Sequence, residues 1–188
     1  MEVENFDKTF EKLKNVDLEG KSFEQCKFVD CEFVSKSFKN SKFIDCEFTG
    51  GNLTLIKVTG TQFQDVNFNK CKVAGVNFSN CAKFGLSFNF DSCYLKHCDF
   101  SSLNIPKIKV EKCEIEGTDF TDTNLEESNF RKSQFIDSTF SNCNLSGAGF
   151  LGSDGYLINP AINKVMKARF DYPGLLGLLR DFGIKIEK

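Results

Sequence analysis

An apolar residue occupies every fifth position over most of this 188-residue chain. The period runs without a miss from Leu13 to Phe78, slips by two residues, and resumes from Phe90 to Phe150. Hydrophobic residues make up 40% of the chain, so chance would fill all of these positions with a probability of roughly 10⁻¹¹. These fifth-position residues, called centres below, are Leu13, Leu18, Phe23, Phe28, Phe33, Phe38, Phe43, Phe48, Leu53, Val58, Phe63, Phe68, Val73, Phe78, Phe90, Leu95, Phe100, Ile105, Val110, Ile115, Phe120, Leu125, Phe130, Phe135, Phe140, Leu145 and Phe150.

A period of five fits neither an unbroken helix nor an unbroken strand. On an α-helix, successive centres would lie about 140° apart around the axis and form no stripe. On a strand, side chains alternate between faces, so every fifth residue would change face. The chain is therefore expected to turn a corner once per repeat. Four such corners close a square coil of about twenty residues, and backbone hydrogen bonds stack the coils about 4.8 Å apart.

The narrow axis of such a coil requires a small residue two positions before each centre. Only Glu11, Lys21 and Lys36 break this rule outright. All nine cysteines occupy this inward position, and the sequence has no CxxC pair, which favours a structural role over zinc or disulfides. His97 beside Cys98 is the one possible nucleus of a metal site, but the two are expected on opposite sides of the wall. The cysteines are Cys26, Cys31, Cys46, Cys71, Cys81, Cys93, Cys98, Cys113 and Cys143.

The repeats resemble the consensus of the pentapeptide-repeat family. Cys26–Asp30 (CKFVD) and Thr123–Glu127 (TNLEE) are representative units, and the resemblance covers about residues 10–150. It implies an all-β fold, a right-handed quadrilateral β-helix. The hand and the cross-section come from this resemblance, because the period itself specifies neither.

The chain divides into a lead-in at residues 1–12, a β-helix at 13–150 and a cap at 151–188. Phe6 and Phe10 are out of phase with the centres, so the lead-in is expected to cover the open backbone edge of the first coil. The break near 79–89 has Lys83 and Gly85 where the two registers would place centres. Gly85 can adopt backbone angles that other residues avoid, which predicts an inter-block kink. The quinolone-resistance branch of the family has a similar break; an insertion absorbed at one corner is the alternative.

Beyond Phe150 the period stops and the pattern of a short helix follows. Asp171 can cap a helix that starts at Pro173, and Gly183 is a stop signal, so a C-terminal α-helix is predicted at about 173–182. The tail resembles the helix through which quinolone-resistance pentapeptide proteins dimerise, which implies a homodimer. A lid that packs only on its own last coil is the alternative. The predicted dimer interface is Leu175, Leu176, Leu178, Leu179 and Phe182.

Composition argues against several classes of function. The net charge of −2 gives no strong bulk attraction to a polyelectrolyte. No apolar run approaches the roughly eighteen residues that span a bilayer, and the amino end has no secretory pattern, so a cytoplasmic location without membrane contact is expected. One histidine, no nucleophile elbow, no phosphate-binding glycine loop and no metal-ligand spacing predict no enzyme, no metal and no cofactor.

The remaining functional signal is a run of acids around a single basic residue, Lys112. The run spans nearly one coil, so its side chains are expected to form an outward ring. An ordinary solvated exterior and a phosphate-like surface both fit such a ring. The acids are Glu111, Glu114, Glu116, Asp119, Asp122, Glu126 and Glu127.

The family resemblance gives this surface a partner. It implies a DNA mimic that binds a type II topoisomerase, DNA gyrase or topoisomerase IV, and protects it from quinolones or gyrase-poisoning peptides, without direct binding of nucleic acid. The break at Gly85 and the dimer-like tail favour this hypothesis. The near-neutral net charge favours the alternative, a general protein-interaction scaffold with an unrelated partner.

Overall fold

A computed structural model describes residues 5–172, 174–179 and 182–185. The described residues form fourteen short strands, and every pairing between them is parallel. No helix in this part of the chain has the length and apolar content needed to cross a membrane. The strands are β1 (Asn5–Phe6), β2 (Thr9–Glu11), β3 (Ser22–Glu24), β4 (Lys27–Val29), β5 (Lys42–Ile44), β6 (Glu47–Thr49), β7 (Gln62–Gln64), β8 (Val66–Asn69), β9 (Lys72–Ala74), β10 (Phe88–Asp91), β11 (Tyr94–Lys96), β12 (Val110–Glu111), β13 (Glu114–Glu116) and β14 (Gln134–Ile136).

The strands build three of the four faces of a parallel solenoid. The first face contains β1, β3, β5 and β7, and the second contains β2, β4, β6, β8, β10 and β12. The third contains β9, β11, β13 and β14. The fourth face is held by isolated parallel bridges, such as that between Asp99 and Asp119. The chain passes through the faces in this order in each coil.

The predicted period sets the register and fills the axis. Phe23 pairs with Phe43, and Phe43 pairs with Phe63, each twenty residues further along the chain. Their rings stack with centroids 5.1 and 5.4 Å apart. Every predicted centre except Leu13 is buried. The all-β coil stacked on a continuous apolar axis is therefore confirmed.

The amino end departs from the predicted phase. Phe10 pairs with Phe28, which is eighteen residues further along instead of twenty. The same offset carries through Leu13, which lies at the level of Cys31 and is only half-buried. Phe10 continues the aromatic axis, since its ring stacks on that of Phe28 at 5.1 Å. The predicted roles of Leu13 as a centre and Phe10 as a residue outside the repeat are wrong, because the first coil is two residues shorter.

Left-handed residues turn the corners, two positions after a centre. Leu55, Lys70 and His97 have φ angles of 57°, 53° and 48°. Such angles are uncommon for residues other than glycine, asparagine and aspartate. The Leu55 N–H donates to the Ala74 carbonyl of the next coil at 2.7 Å. Hydrogen bonds of this kind hold the corner residues in the left-handed conformation.

The inward residue two positions before a centre also forms hydrogen bonds. The Thr61 hydroxyl donates to the Phe38 carbonyl at 2.6 Å, and the Cys46 thiol donates to the Ile44 carbonyl at 3.2 Å. All nine cysteines are buried free thiols in this position, as the spacing predicts. A buried hydroxyl or thiol is tolerated here because the wall of the coil offers it a carbonyl.

The slip between Phe78 and Phe90 is a two-residue insertion in the first face, preceded by the 3-10 helix Phe78–Asn80. On the second face, β8 and β10 pair at an offset of 22 residues, with Phe68 opposite Phe90. On the third face, β9 pairs with β11. Both sheets continue across the insertion, which fits the alternative of an insertion absorbed on one side of a coil.

Beyond the last centre, Phe150, the solenoid gains one further coil: Asp154 pairs with Gln134, Ile158 with Phe140 and Lys164 with Asn144. Gly149 pairs with Arg169, and the ring of Phe170 stacks on that of Phe150 at 5.1 Å. The small-x-large spacing of Ala168 and Phe170 therefore continues the repeat. The second face then carries nine levels from Phe10 to Phe170, and eight steps of about 4.8 Å make it roughly 38 Å long.

The C-terminal segment differs from the prediction. A five-residue 3-10 helix, Gly174–Leu178, occupies the place of the α-helix predicted at 173–182. Gly174 and Gly177 lie so close to Tyr156 that a Cβ atom at either position would overlap it. This close contact of the two glycines with the last coil goes together with 3-10 winding, which is tighter than that of an α-helix. Pro173, Arg180 and Asp181 of the predicted range lie outside the described residues.

Candidate functional site

The acids of the predicted run surround one coil. All seven side chains are exposed or half-buried, whereas the three centres between them are buried. No face carries more than two of the seven, so the run forms a ring and not a stripe. Glu111 lies on the second face, Glu114 and Glu116 on the third, Asp119 and Asp122 on the fourth, and Glu126 and Glu127 on the first.

On the third face, the preceding coil partly neutralises the ring. The Lys96 ammonium lies 2.7 Å from the Glu116 carboxylate, and the Tyr94 hydroxyl donates to the same carboxylate at 2.6 Å. These two hydrogen bonds lower the pKa of Glu116. The Glu116 carboxylate is therefore already paired within the protein.

Two further acids of the ring have partners on the first and second faces. The Lys107 ammonium lies 3.5 Å from the Glu127 carboxylate, and both side chains are largely exposed. The Asn129 amide donates to the Glu111 carboxylate. The fourth face carries two acids of the ring, Asp119 and Asp122, and neither forms an ion pair within the described residues.

The fourth face presents ordered carboxylates. Asp99 and Asp119 are bridge partners on adjacent coils, and Asp122 lies at the corner beside Asp119. Asp99 Oδ1 accepts a hydrogen bond from the Ser101 N–H at 2.8 Å. Asp119 Oδ1 accepts one from the Thr121 N–H at 2.8 Å and one from the Thr121 hydroxyl at 2.6 Å. The carboxylates of Asp99 and Asp119 are thus fixed by their own repeats.

Sequence reasoning missed Asp99, because it lies outside the contiguous acidic run. The sequence feature that could have identified Asp99 is its position twenty residues, or one full coil, before Asp119. Across four coils, the outward residues of this face include no lysine or arginine. They are Asn77, Ser79, Asn80, Asp99, Ser101, Ser102, Asp119, Thr121, Asp122, Thr139, Ser141 and Asn142.

The opposite, second face carries four of the seven lysine and arginine residues between Asn77 and Asn142. Lys109 and Lys112 lie on one coil, and Arg131 and Lys132 lie on the next. The Lys112 ammonium lies 3.0 Å from the Asp91 carboxylate. The solenoid is therefore polarised across its width, although the net charge of the chain is only −2.

The predicted kink residue, Gly85, lies in the two-residue insertion with φ +67°. A Cβ at Gly85 would meet only the Gln64 side chain, at 3.8 Å, so glycine is needed there for its backbone angle and not for space. Phe84 is 86% exposed and Leu86 is buried. A kink of the axis at Gly85 stays a prediction.

The predicted dimer residues lie on the cap of the last coil. Leu178 packs against the core, and Leu176 and Leu179 are half-buried. Leu175 is 44% exposed and Phe182 is 53% exposed. The cap therefore covers its own coil with one side and leaves an apolar outer side, which is compatible with both a lid and a dimer.

The potentially reactive side chains show no catalytic arrangement in the described part of the chain. Burial raises the pKa of Cys46, Cys98 and Cys143 to about 11, so these thiols stay protonated at neutral pH. No cluster of three or more histidine, cysteine, aspartate or glutamate side chains within the described residues could hold a metal ion.

These features define a class of protein: a parallel β-solenoid of five-residue repeats with charged outer faces. Two matches to the family model described as "Pentapeptide repeat region" cover residues 21–89 and 82–150. Together they span more than half of the chain, so the protein belongs to the pentapeptide-repeat family. A search of curated protein sequences found no match.

The fold is similar to that of QnrB1, described as a plasmid-mediated fluoroquinolone resistance protein. One trypsin-treated form superposes with a TM-score of 0.77 at 14% sequence identity, over 97% of this chain and 98% of QnrB1. A second trypsin-treated form gives a TM-score of 0.63 at 13% identity, over 97% and 96% of the two chains. At such identities the likeness concerns the fold.

Proposed function

We propose that this protein is a non-enzymatic DNA mimic that binds a type II topoisomerase, DNA gyrase or topoisomerase IV, and protects it from quinolones or peptide poisons. The observation that carries the proposal is the fourth face, where the outward residues around Asp99, Asp119 and Asp122 include no lysine or arginine. The Lys83 ammonium of the first face reaches only its edge, 3.5 Å from the Ser102 carbonyl. A groove built for phosphates is lined with cations, and carboxylates held along a rod can occupy it. The fold shared with QnrB1, a fluoroquinolone resistance protein, supports the proposed link to quinolones.

The mimicry is local and directional. The fourth face would enter the groove, while the second face, with Lys109, Lys112, Arg131 and Lys132, would point away from it. This orientation explains how a chain with a net charge of −2 can present an acidic side to a cationic groove. On this proposal the protein competes with DNA for the enzyme and does not itself bind nucleic acid.

A DNA supercoiling assay tests the proposal. Purified protein is titrated into the gyrase of a Gram-negative and of a Gram-positive bacterium, with and without ciprofloxacin. We expect the protein to restore supercoiling in the presence of the drug. The triple variant Asp99→Asn, Asp119→Asn, Asp122→Asn should lose this effect, since asparagine keeps the Oδ1 acceptor but removes the charge.

A matched control carries the same loss of charge on the other faces: Asp30→Asn, Asp45→Asn, Asp137→Asn. These three aspartates are exposed corner residues with φ near 50°, an angle that asparagine tolerates. The control should protect gyrase as well as the wild type does. Equal loss in both triple variants would reject the fourth face as the binding surface.

The alternative is a general protein-interaction scaffold with an unrelated partner. The basic second face and the paired acids Glu116 and Glu127 favour it, because both reduce the resemblance to a uniformly charged duplex. A protein that leaves supercoiling and its drug inhibition unchanged with both enzymes would support this alternative.

We also propose that the protein forms a homodimer through Leu175, Leu176, Leu178, Leu179 and Phe182. The exposed sides of Leu175 and Phe182 support it, because a two-fold interface must bury the same apolar patch on both subunits. Tail-to-tail pairing would about double the length of the rod that a topoisomerase grips.

A further inference from the structure

The two-residue insertion exposes an aromatic ring beside a gap in the wall. Phe84 is 86% exposed, more than any other large apolar side chain among the described residues. Leu86 is 9% exposed and takes the inward place that a centre would occupy. Gly85, between them, adopts the left-handed conformation that reverses the chain. The insertion therefore turns its larger apolar side chain towards solvent.

The main chain of the insertion is also unpaired. Within the described residues, residues 83–86 form no backbone hydrogen bond with a neighbouring coil. The ladder stops after the Ala82 N–H, which donates to Thr61, and resumes at the Ser87 N–H, which donates to Phe63. On the following coil, Pro106 has no N–H to offer. This is an interruption of the first face at which peptide groups remain available to an added chain.

Two adjoining concavities lie beside the insertion, and one of them is lined by Phe84. The first has a volume of about 230 Å³, with Leu86, Ile105 and Pro106 among its apolar walls. The second has a volume of about 560 Å³ and lies around Phe84. Leu86 and Pro106 line both, so the two form one continuous trough. Its walls offer burial to an apolar side chain.

The rim of this trough is mainly basic. Lys83, Lys107 and Lys109 stand against the single carboxylate of Asp65. Asp65 is already engaged, because the Ser87 hydroxyl donates to it at 3.0 Å. Lys109 forms no ion pair within the described chain. The contact of Lys107 with Glu127, at 3.5 Å between two exposed side chains, is of the weak and easily exchanged kind.

We propose that this trough, called the insertion trough, binds an extended acidic segment of a partner protein. An apolar side chain of the segment lies against Phe84 and Pro106, and flanking carboxylates face Lys107 and Lys109. Peptide groups of the segment form hydrogen bonds with the free peptide groups of residues 83–86. So small a site favours a transient complex. The proposal does not depend on binding to a topoisomerase.

Nuclear magnetic resonance titration of the ¹⁵N-labelled full chain tests this proposal. The probe is a seven-residue peptide, acetyl-Glu-Asp-Glu-Leu-Asp-Glu-Asp-amide. We expect chemical-shift changes confined to residues 83–87 and 105–109, and weaker binding as salt is raised. Lys107→Ala with Lys109→Ala should weaken binding about tenfold or more. The control, Lys57→Ala with Lys72→Ala, removes two exposed lysines of the fourth and third faces and should leave the affinity unchanged.

Phe84→Ser and a probe with glycine in place of leucine test the apolar contact. Because Phe84 is 86% exposed, the serine variant keeps the fold, and both changes should weaken binding severalfold. Absence of shifts at about 1 mM peptide would overturn the proposal. Equal binding of the glycine probe would also overturn the proposal. Shifts of the same resonances by a twelve-nucleotide oligothymidylate at equal concentration would do so too, because both outcomes indicate a site that binds any polyanion.

Discussion

The ring of Phe68 stacks on that of Phe90, with centroids 4.9 Å apart and planes 14° apart, although the two residues are 22 positions apart instead of 20. On the opposite, fourth face, Phe78 and Phe100 stack at 4.7 Å across the same offset. The insertion therefore leaves the aromatic axis unbroken. The coils before and after it share one core, and their stabilities are expected to be coupled.

Removing a ring from this axis should destabilise the protein strongly. Phe68→Ala leaves a cavity between Phe48 and Phe90, and we expect the free energy of unfolding to fall by about 3–5 kcal/mol. Chemical denaturation followed by circular dichroism measures the change. The matched control is Phe84→Ala, which removes the same atoms from a ring that is 86% exposed and should change stability by less than about 0.5 kcal/mol. Similar losses in the two variants would contradict the assignment of Phe68 to the core.

The sequence period predicts the fold but not every position in it. Five-residue spacing requires corners, and corners with small inward residues require a stacked coil, so the buried axis follows from the pattern. Phe10 and Leu13 were misassigned because a shortened first coil changes the phase without changing the residue types. Leu86 was missed because the polar Lys83 and Gly85 hold the positions that the period reserves for centres.

The interaction surfaces could be predicted only in part. A contiguous run of acids is visible in the sequence, but coils bring together residues twenty positions apart, and Asp99 was missed for that reason. The neutralisation of Glu116 by Lys96 has the same cause, since the pair is likewise twenty residues apart. The α-helix predicted at 173–182 followed a valid spacing of leucines. It did not account for Gly174 and Gly177, which let the chain wind tightly against Tyr156.

The buried hydroxyl of Tyr156 offers a route to a more stable cap. The ring is 2% exposed, and its oxygen has no hydrogen-bond partner among the described residues. An unsatisfied buried hydroxyl is costly, so Tyr156→Phe should raise the free energy of unfolding by about 1 kcal/mol. Thermal unfolding checks this prediction. Tyr172→Phe, at a residue that is 80% exposed, is the control and should have no effect. A destabilised Tyr156→Phe variant would indicate that the oxygen has a partner in solution.

Alkaline pH should weaken the solenoid through its buried thiols. Burial raises the pKa of Cys46, Cys98 and Cys143 from 9.0 to about 11. Each raised pKa means that the folded state binds its proton more tightly than the unfolded chain does. The corresponding stability is complete below about pH 9 and is lost as the pH rises through about 11.

Urea unfolding at pH 8 and at about pH 10.5 measures this loss. Lysines also titrate in this range, so the informative comparison is with Cys98→Ser with Cys143→Ser, which keeps two small inward hydrogen-bonding residues but removes two titrating thiols. The double variant should lose less stability than the wild type over the same interval. Equal losses would assign the alkaline sensitivity to other groups.

The proposed dimer makes the last prediction. Leu175→Asp with Leu179→Asp places two charges on the outer side of the cap, and burying them without partners in a two-fold interface would be costly. The solenoid itself is stabilised coil by coil, so the variant should stay folded. Light scattering should give twice the chain mass of 21.2 kDa for the wild type and the single mass for the variant. Val34→Asp with Leu55→Asp is the matched control, because these side chains are 42% and 53% exposed on the third face, several coils away from the cap. The control variant should remain dimeric.

A wild type that is monomeric at micromolar concentration would leave the cap as a lid on its own last coil. The proposed topoisomerase complex would then have to be explained by a single rod of about half the length.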